Sequence, residues 1–421
     1  MESIRQPMKK LLIITALALT ACTAKAPLYQ EVVRSEMSRH PEASYIDGQE
    51  GNLKWNYTTG LELKAMLDAV IAEAASVVAE DAPAVFGPYE QEAGASSTTT
   101  AKTVLKYVND WYDAIIDSTG AIGGKYKKSN YSLDHICPGC TLFQLYDLTG
   151  KEKYRAAIDT LYLQLKEQPR TADGGFWHKK VYPEQMWLDG LYMAQPFYAE
   201  YTMRYIPEPQ RQENIDDITR QFALAFEHCY DTNTKLLRHA WDSSHSMFWC
   251  DPATGQSAHA WGRAMGWYCM ALVDVIGILS KDSCQELIGI LTKVLDALRD
   301  NAAPSTGLWY QVLDRPGEEG NYLEATCNAM FSYAFSKAVT LGISKDKRYA
   351  RRLYKSMVRT FVTTDNDNDL VNLEQCCEVA GLGGKQNRSG DYEYYIHERV
   401  RANDPKGIGP LIWASIEYEK L

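Results

Sequence analysis

One connection between helical runs recurs along the chain, and it limits the possible folds more than any other feature. Leu148-Thr-Gly-Lys-Glu-Lys-Tyr154, Leu279-Ser-Lys-Asp-Ser283 and Leu341-Gly-Ile-Ser-Lys-Asp-Lys-Arg-Tyr349 share a design. Each ends an apolar helical run with a glycine or small residue and opens the next with a polar turn. Connections this short leave their two helices antiparallel and adjacent. The flanking runs carry apolar residues at helical spacing. Leu61, Met66, Leu67, Val70, Ile71 and Ala74 mark one face, and Val104, Leu105, Val108, Trp111, Tyr112, Ile115 and Ile116 another. Further helices are predicted near 140–148, 151–167, 185–204, 212–230, 260–280, 283–301, 324–342, 346–363 and 408–420. The hairpins return about every 55–65 residues, so roughly six fit. Six hairpins closed on themselves make an all-α fold, the (α/α)6 barrel. The alternative is an open solenoid, but the repeat consensus that solenoids carry is missing.

The N-terminus reads as a processing segment. Lys9 and Lys10 precede the apolar run Leu11–Ala18, followed by Leu19-Thr-Ala-Cys22. A basic start, a short apolar run and small residues make a secretory signal, too short to span a bilayer. The Cys after Leu-Thr-Ala resembles a bacterial lipoprotein box, which implies cleavage before Cys22 and lipidation of its sulfur. The expected organisation is a signal at 1–22, an extension at 23–50 and one catalytic domain at 51–421. The protein would be exported and lipid-anchored in the cell envelope, and no later stretch is read as long and apolar enough to span a membrane.

Of 10 cysteines, nine remain beyond Cys22. Export permits disulfides, and an odd count leaves at least one thiol unpaired. Cys137-Pro-Gly-Cys140 has the spacing of a metal knuckle but lacks a second Cys/His pair. No metal or other cofactor is expected: neither a phosphate-binding glycine loop nor His-Glu-x-x-His occurs. The formal charge of −10 disfavours nucleic acid as a partner. An acidic ligand would need a local cationic pocket.

Chemistry-bearing residues concentrate in loops between the hairpins, where a rigid barrel commonly builds its site. The densest stretch runs from Gly174 to Met193 and contains His178, Lys179 and Asp189. Asp189 stands in an apolar helical run, where desolvation is expected to raise its pKa and keep a proton available. The plain alternative is a buried Asp satisfied by backbone donors. Asp134 precedes another helix start and reads either as a cap or as a second carboxylate at the barrel mouth. Arg238-His239-Ala-Trp-Asp242 and His259-Ala-Trp-Gly-Arg263-Ala-Met-Gly-Trp267 supply further candidates. His259, Arg263 and Trp267, spaced four apart, are predicted on one helical face, suited to a sugar carboxylate.

With these motifs assembled, the chain resembles the unsaturated rhamnogalacturonyl hydrolases, glycoside hydrolase family 105, related to the unsaturated glucuronyl hydrolases of family 88. The resemblance runs from Trp55-Asn-Tyr-Thr-Thr-Gly60 to Tyr394-Tyr395. Its most specific parts are Gly-Gly-Phe-Trp-His-Lys…Tyr-Pro-Glu-Gln-Met-Trp-Leu-Asp-Gly-Leu-Tyr-Met, Trp261-Gly-Arg-Ala-Met-Gly-Trp267 and Gly307-Leu-Trp-Tyr-Gln-Val-Leu313. It implies an (α/α)6 barrel with Asp189 as general acid/base and Asp134 as second carboxylate. It places Tyr57, His178, Lys179, His239, Arg263 and Trp267 at the substrate, an unsaturated acidic oligosaccharide. Cys137-Pro-Gly-Cys140 and Glu324-Ala-Thr-Cys-Asn328 depart from the pattern, which loosens the inference about the leaving sugar. The implied reaction hydrates the C4=C5 bond that polysaccharide lyases leave on a terminal uronate. One carboxyl that first gives and then takes a proton suits it, and His178, Lys179, His239 and Arg263 are read as a cationic wall. Two rival readings are an inverting glycosidase on saturated sugars and a surface glycan-binding lipoprotein.

Overall fold

Gly150 shows how the recurring connection works. It takes φ 64° after the helix Gly139–Thr149, and its N–H returns to the Tyr146 carbonyl. The chain reverses there and enters the next helix at Glu152. The computed structural model describes residues 26–48, 53–80 and 95–421. The signal and lipoprotein motif with Cys22 lie outside them.

Among the described residues, twelve helices of more than ten residues alternate between an outer and an inner layer. The outer helices are α1 (Leu28–Arg39), α3 (Ala95–Ile115), α5 (Glu152–Lys166), α7 (Gln210–Cys229), α9 (Gln285–Asp300) and α11 (Lys347–Phe361). The inner helices are α2 (Tyr57–Glu80), α4 (Gly139–Thr149), α6 (Leu188–Tyr205), α8 (Gly262–Leu279), α10 (Ala325–Thr340) and α13 (Pro405–Glu419). A short helix, α12 (Tyr392–Ile396), precedes α13. Each inner helix packs on the next, and α13 returns to α2, closing the (α/α)6 barrel that the hairpin spacing predicts.

Sequence separates the layers. In α9 the buried residues Leu287, Ile290, Leu291, Val294 and Leu298 follow a 3–4 spacing, the pattern of a helix with one face on a core. In α8 burial continues nearly all round. Inner helices must also approach closely. A Cβ on Gly266 would come within 2.4 Å of Met330 Sδ, and one on Gly60 within 2.8 Å of the Pro138 Cα. Contrary to the sequence expectation, α8 does have the length and mean hydropathy, 1.3, of a membrane span. In the barrel that apolarity is spent on neighbouring helices, and 83% of the segment is buried.

At the N-terminal end of the inner helices, the loops are stitched together by backbone hydrogen bonds. Strand β1 (Gln185–Trp187) pairs with β2 (Ala240–Asp242). Leu133 N–H donates to His178 O, Leu188 N–H to His239 O, His239 N–H to His259 O, Gly262 N–H to Gln311 O, and Ala325 N–H to Gln375 O. Three-residue strands leave too little alternation to read, so the run predicted helical from 185 begins at Leu188, and that from 260 at Gly262.

Other boundaries also differ. The segment 23–50, expected as an extension, supplies the twelfth barrel helix. Tyr29, Val32 and Val33 of α1 join the core, and Tyr29 N–H donates to Ser415 Oγ of α13. The polar stretch 84–101, read as an excursion, is helical from Ala95 onward where it is described. The nine cysteines from Cys137 to Cys377 are free thiols, mostly buried.

Candidate active site

Helix geometry gathers the site. Tyr57 is the first residue of α2, and Asp189 and Arg263 are each the second residue of their inner helix. Equivalent positions on neighbouring helices of a ring face one mouth. Asp134 arrives on a 3-10 turn, Leu133–His135, just before α4. His178 and Lys179 come from the loop that this turn pairs with, and His239 directly precedes β2.

The two carboxylates have separate partners. Asp134 takes an ion pair from Lys179 Nζ and lies 3.5 Å from His178 Nε2. Burial pushes its pKa up, but Lys179 above all, with His178 alongside, outweighs that and holds it below the ordinary carboxylate range. Asp189 Oδ2 lies 3.2 Å from His239 Nε2, and neither atom has an aligned hydrogen-bond partner among the described residues. The Asp189 side chain is 16% exposed, so it reaches the mouth from a largely buried seat. Burial raises its pKa, yet the neighbouring His239 and then His178 pull it down further, leaving it lowered. The sequence expectation of a raised pKa is therefore overturned for the free protein, because an imidazole stands beside the carboxyl that the local apolar run gave no sign of.

Behind His239 stands Tyr395, whose hydroxyl lies 2.7 Å from Nδ1. Burial holds this phenol well above its ordinary pKa, so it remains a neutral partner. His178 is pushed down to about 4 by burial, so it is neutral at neutral pH and is not the cation of the expected wall. Lys179 is committed to Asp134. Arg263 is 2% exposed, stacks over Trp261 at 4.6 Å and donates from Nη1 to the Cys377 carbonyl. Burial disfavours its charge, but Cys377, Asp404, Glu324 and Tyr57 around it hold the guanidinium firmly protonated.

Aromatic rings build the floor and one wall. Trp267 is buried, with Tyr57 edge-on at 6.3 Å and Tyr192 at 4.9 Å. Trp187 stacks on His178 at 4.8 Å and meets His239 edge-on at 5.3 Å. Electrostatically Tyr57 faces Asp134, Arg263, Asp189 and Asp404, and His178 faces both Asp134 and Asp189. The structure thus brings together the eight predicted catalytic and substrate-binding residues: Asp189, Asp134, Tyr57, His178, Lys179, His239, Arg263 and Trp267. His259 does not share a helical face with Arg263, because α8 starts three residues later. Its Nδ1 lies 2.9 Å from Asp314 Oδ2.

Sequence reasoning missed Tyr395 as the partner of His239. It also missed Glu324, which caps α10 by accepting from Cys327 N–H at 2.7 Å and reaches Cys377 N–H at 2.8 Å. The unusual Glu324-Ala-Thr-Cys-Asn328 segment is thereby explained: Glu324 ties α10 to the short strand Cys376–Cys377, whose Cys377 carbonyl holds Arg263. The signal available was a Glu three residues before a Cys at a helix start. Among the described residues no cluster of His, Cys, Asp and Glu has the arrangement of a metal site.

The pattern of Glycosyl Hydrolase Family 88 matches residues 93–421. A glycoside hydrolase of family 105 from C. acetobutylicum superposes with a TM-score of 0.80 at 38% identity, covering 93% of this chain and 99% of that one. A possible family 105 member from Salmonella enterica gives 0.68 at 21% identity over 93% of both chains, a likeness of fold alone. The unsaturated rhamnogalacturonyl hydrolase YesR of Bacillus subtilis is 26% identical over 278 residues, 64% of this chain and 73% of its own length. The family pattern, which covers most of the chain, makes this helical barrel a glycoside hydrolase, and the chain belongs to the family 88/105 group, the unsaturated uronyl hydrolases.

Proposed function

We propose that this protein removes the 4,5-unsaturated uronic acid from the non-reducing end of oligosaccharides released by polysaccharide lyases, with unsaturated galacturonyl-rhamnose from rhamnogalacturonan as its substrate. The observation that carries the reading is the Asp189–His239–Tyr395 line at the mouth of the barrel. The substrate bond is an enol ether, since the ring oxygen is attached to C5. Asp189 protonates C4, and positive charge develops at C5, shared with the ring oxygen. Asp189, now a carboxylate, takes a proton from water as the oxygen adds to C5. The hemiketal opens to a ketone at C5. C1 then carries both the freed ring hydroxyl and the leaving sugar, a hemiacetal that expels that sugar. One water is consumed, and no bond to C1 is attacked by a nucleophile.

Asp134, anchored by Lys179, is the second carboxylate and fixes substrate hydroxyls. Tyr57 and Trp267 supply the apolar floor, His239 stands beside Asp189, and Arg263 supplies positive charge near the uronate carboxylate. The rule relating carboxylate separation to retention or inversion does not apply to hydration. The YesR relative supports the rhamnogalacturonan assignment over ulvan or glycosaminoglycan fragments. The leader Lys9-Lys10…Leu19-Thr-Ala-Cys22 supports export with a lipid anchor on Cys22.

Asp189→Asn tests the reading. Absorbance of the conjugated C4=C5 bond is followed on unsaturated rhamnogalacturonan, ulvan and glycosaminoglycan disaccharides, and cleavage of a saturated disaccharide is followed by chromatography of the released sugars. Loss of the acid/base group lowers turnover about 10²–10⁴-fold. Near wild-type turnover by Asp189→Asn, or equal cleavage of the saturated sugar, removes the assignment.

A further inference from the structure

The aromatic wall continues outward from the site. His178 stacks on Trp187 at 4.8 Å and 11°, and Trp187 stacks on Tyr182 at 5.1 Å and 9°. The three rings lead from the carboxylate pair toward the rim. At their outer end, the Tyr182 hydroxyl meets Arg388 Nη2 at 3.4 Å.

Arg388 is carried on a tight loop, Gly381-Leu-Gly-Gly-Lys-Gln-Asn-Arg388. Gly383 and Arg388 exchange backbone hydrogen bonds of 2.8 and 3.2 Å, closing it. Gly383 and Gly384 take φ of 55° and 71°, and a Cβ on Gly384 would stand 3.1 Å from the Tyr182 hydroxyl. Only glycine lets the loop approach the ring so closely. Arg388 Nε donates to the Gly383 carbonyl at 3.2 Å, which fixes the guanidinium in place. On the loop's other side Trp249 is 4% exposed, and its indole N–H is buried without a partner.

Two facts set Arg388 apart. No carboxylate among the described residues pairs with it, although the chain carries 54 Asp and Glu against 44 Lys and Arg. It is also pre-positioned, half-buried, beside the Tyr182 hydroxyl, and such a guanidinium suits a planar carboxylate.

We propose that Arg388 and Tyr182 form an outer subsite for the carboxylate of a second acidic sugar, the uronate on the far side of the leaving sugar. This rests on the proposed reaction for the direction of the chain, since the unsaturated ring must reach Asp189 and the rest must extend toward the rim, where Tyr182 and Arg388 stand. The substrate class is then an alternating acid–neutral chain of three or more sugars, and Arg388 determines specificity without touching the reacting atoms.

The test is calorimetric titration of the saturated disaccharide rhamnosyl-galacturonate and of its methyl ester, into wild type and Arg388→Gln. The acid binds wild type about tenfold more tightly than the ester, the scale of a hydrogen bond to a charged group, and Arg388→Gln abolishes the preference. In parallel, Arg388→Gln raises KM for the unsaturated trisaccharide while leaving the disaccharide unchanged. Equal binding of acid and ester by wild type, or equal weakening of both by the variant, overturns the subsite. Because the titrated sugars are saturated, a wild type that prefers the acid but never consumes the double bond upholds the subsite and removes only the reaction.

Discussion

Asp189 is held as a carboxylate in the free protein, yet the proposed reaction needs it to deliver a proton to carbon. The substrate resolves this. Its uronate carboxylate brings a second negative charge to the mouth and displaces water, and both effects raise the pKa of a neighbouring carboxyl. His239 sets the starting point. Burial alone pushes Asp189 up, and His239 first, then His178, pull it down. Replacing His239 by Gln removes the largest downward influence, so the Asp189 pKa rises. A general acid works protonated, so its activity is lost as pH climbs through its pKa. The alkaline limb of kcat/KM, which reports the free enzyme, therefore moves to higher pH in His239→Gln, even as the maximum falls. A limb that stays in place or moves down contradicts the pairing. At this scale the sequence pointed to residues that the structure gathers at one mouth, His178, Lys179 and Arg263 among them. It did not show protonation. His178 is neutral because of burial, and Asp189 is lowered by a partner from another hairpin, and neither is local in sequence.

At the scale of elements, periodicity revealed the helices because the apolar spacing of α5, α7, α9 and α11 repeats over many turns. The strands went unread because pairing, not alternation, creates them. Helix α1 was misplaced for a related reason: its role depends on a seam with α2 and α13, far apart in sequence. That seam contains an acidic cluster. Glu36 of α1 and Glu62 of α2 are both about 1% exposed or less. Burial raises Glu36 from 4.5 to about 7 against the opposing Arg39. Burial, followed by Glu36, Asp404 and Asp47, raises Glu62 further, against Arg39. These folded-state values lie above the unfolded ones, so the stability these groups contribute is full below about pH 4.5 and is lost as pH rises through the folded values. Gln at position 62 has no proton to lose. The melting temperature of Glu62→Gln relative to wild type is thus expected to be higher at pH 8 than at pH 5, checked by calorimetric scans. A constant difference across that range contradicts a protonated Glu62 at the seam.

Across the whole molecule, the barrel converts six local repeats into one mouth. Each hairpin contributes little alone, but the N-terminal ends of inner helices α2, α6 and α8 present Tyr57, Asp189 and Arg263 at matching heights. Closure was legible from hairpin number, and the ring of backbone bonds between loops was not, since those partners lie in different hairpins. The net charge of −10 and an acidic substrate are reconciled locally. Lys179 offsets Asp134 at the mouth, Arg263 is held beside Asp404 and Glu324, and Arg388 at the rim has no carboxylate partner among the described residues. The central claim is that the sugar leaves because C4 is protonated and C5 hydrated. Proton NMR of the reaction in D2O, read at early times, tests this most directly. The account predicts one deuterium at C4 of the keto acid formed from the unsaturated uronate, and loss of the vinyl proton signal in step with release of the neutral sugar. Release of the neutral sugar while the C4=C5 bond persists, with C4 unlabelled, would show direct cleavage at C1 and contradict it.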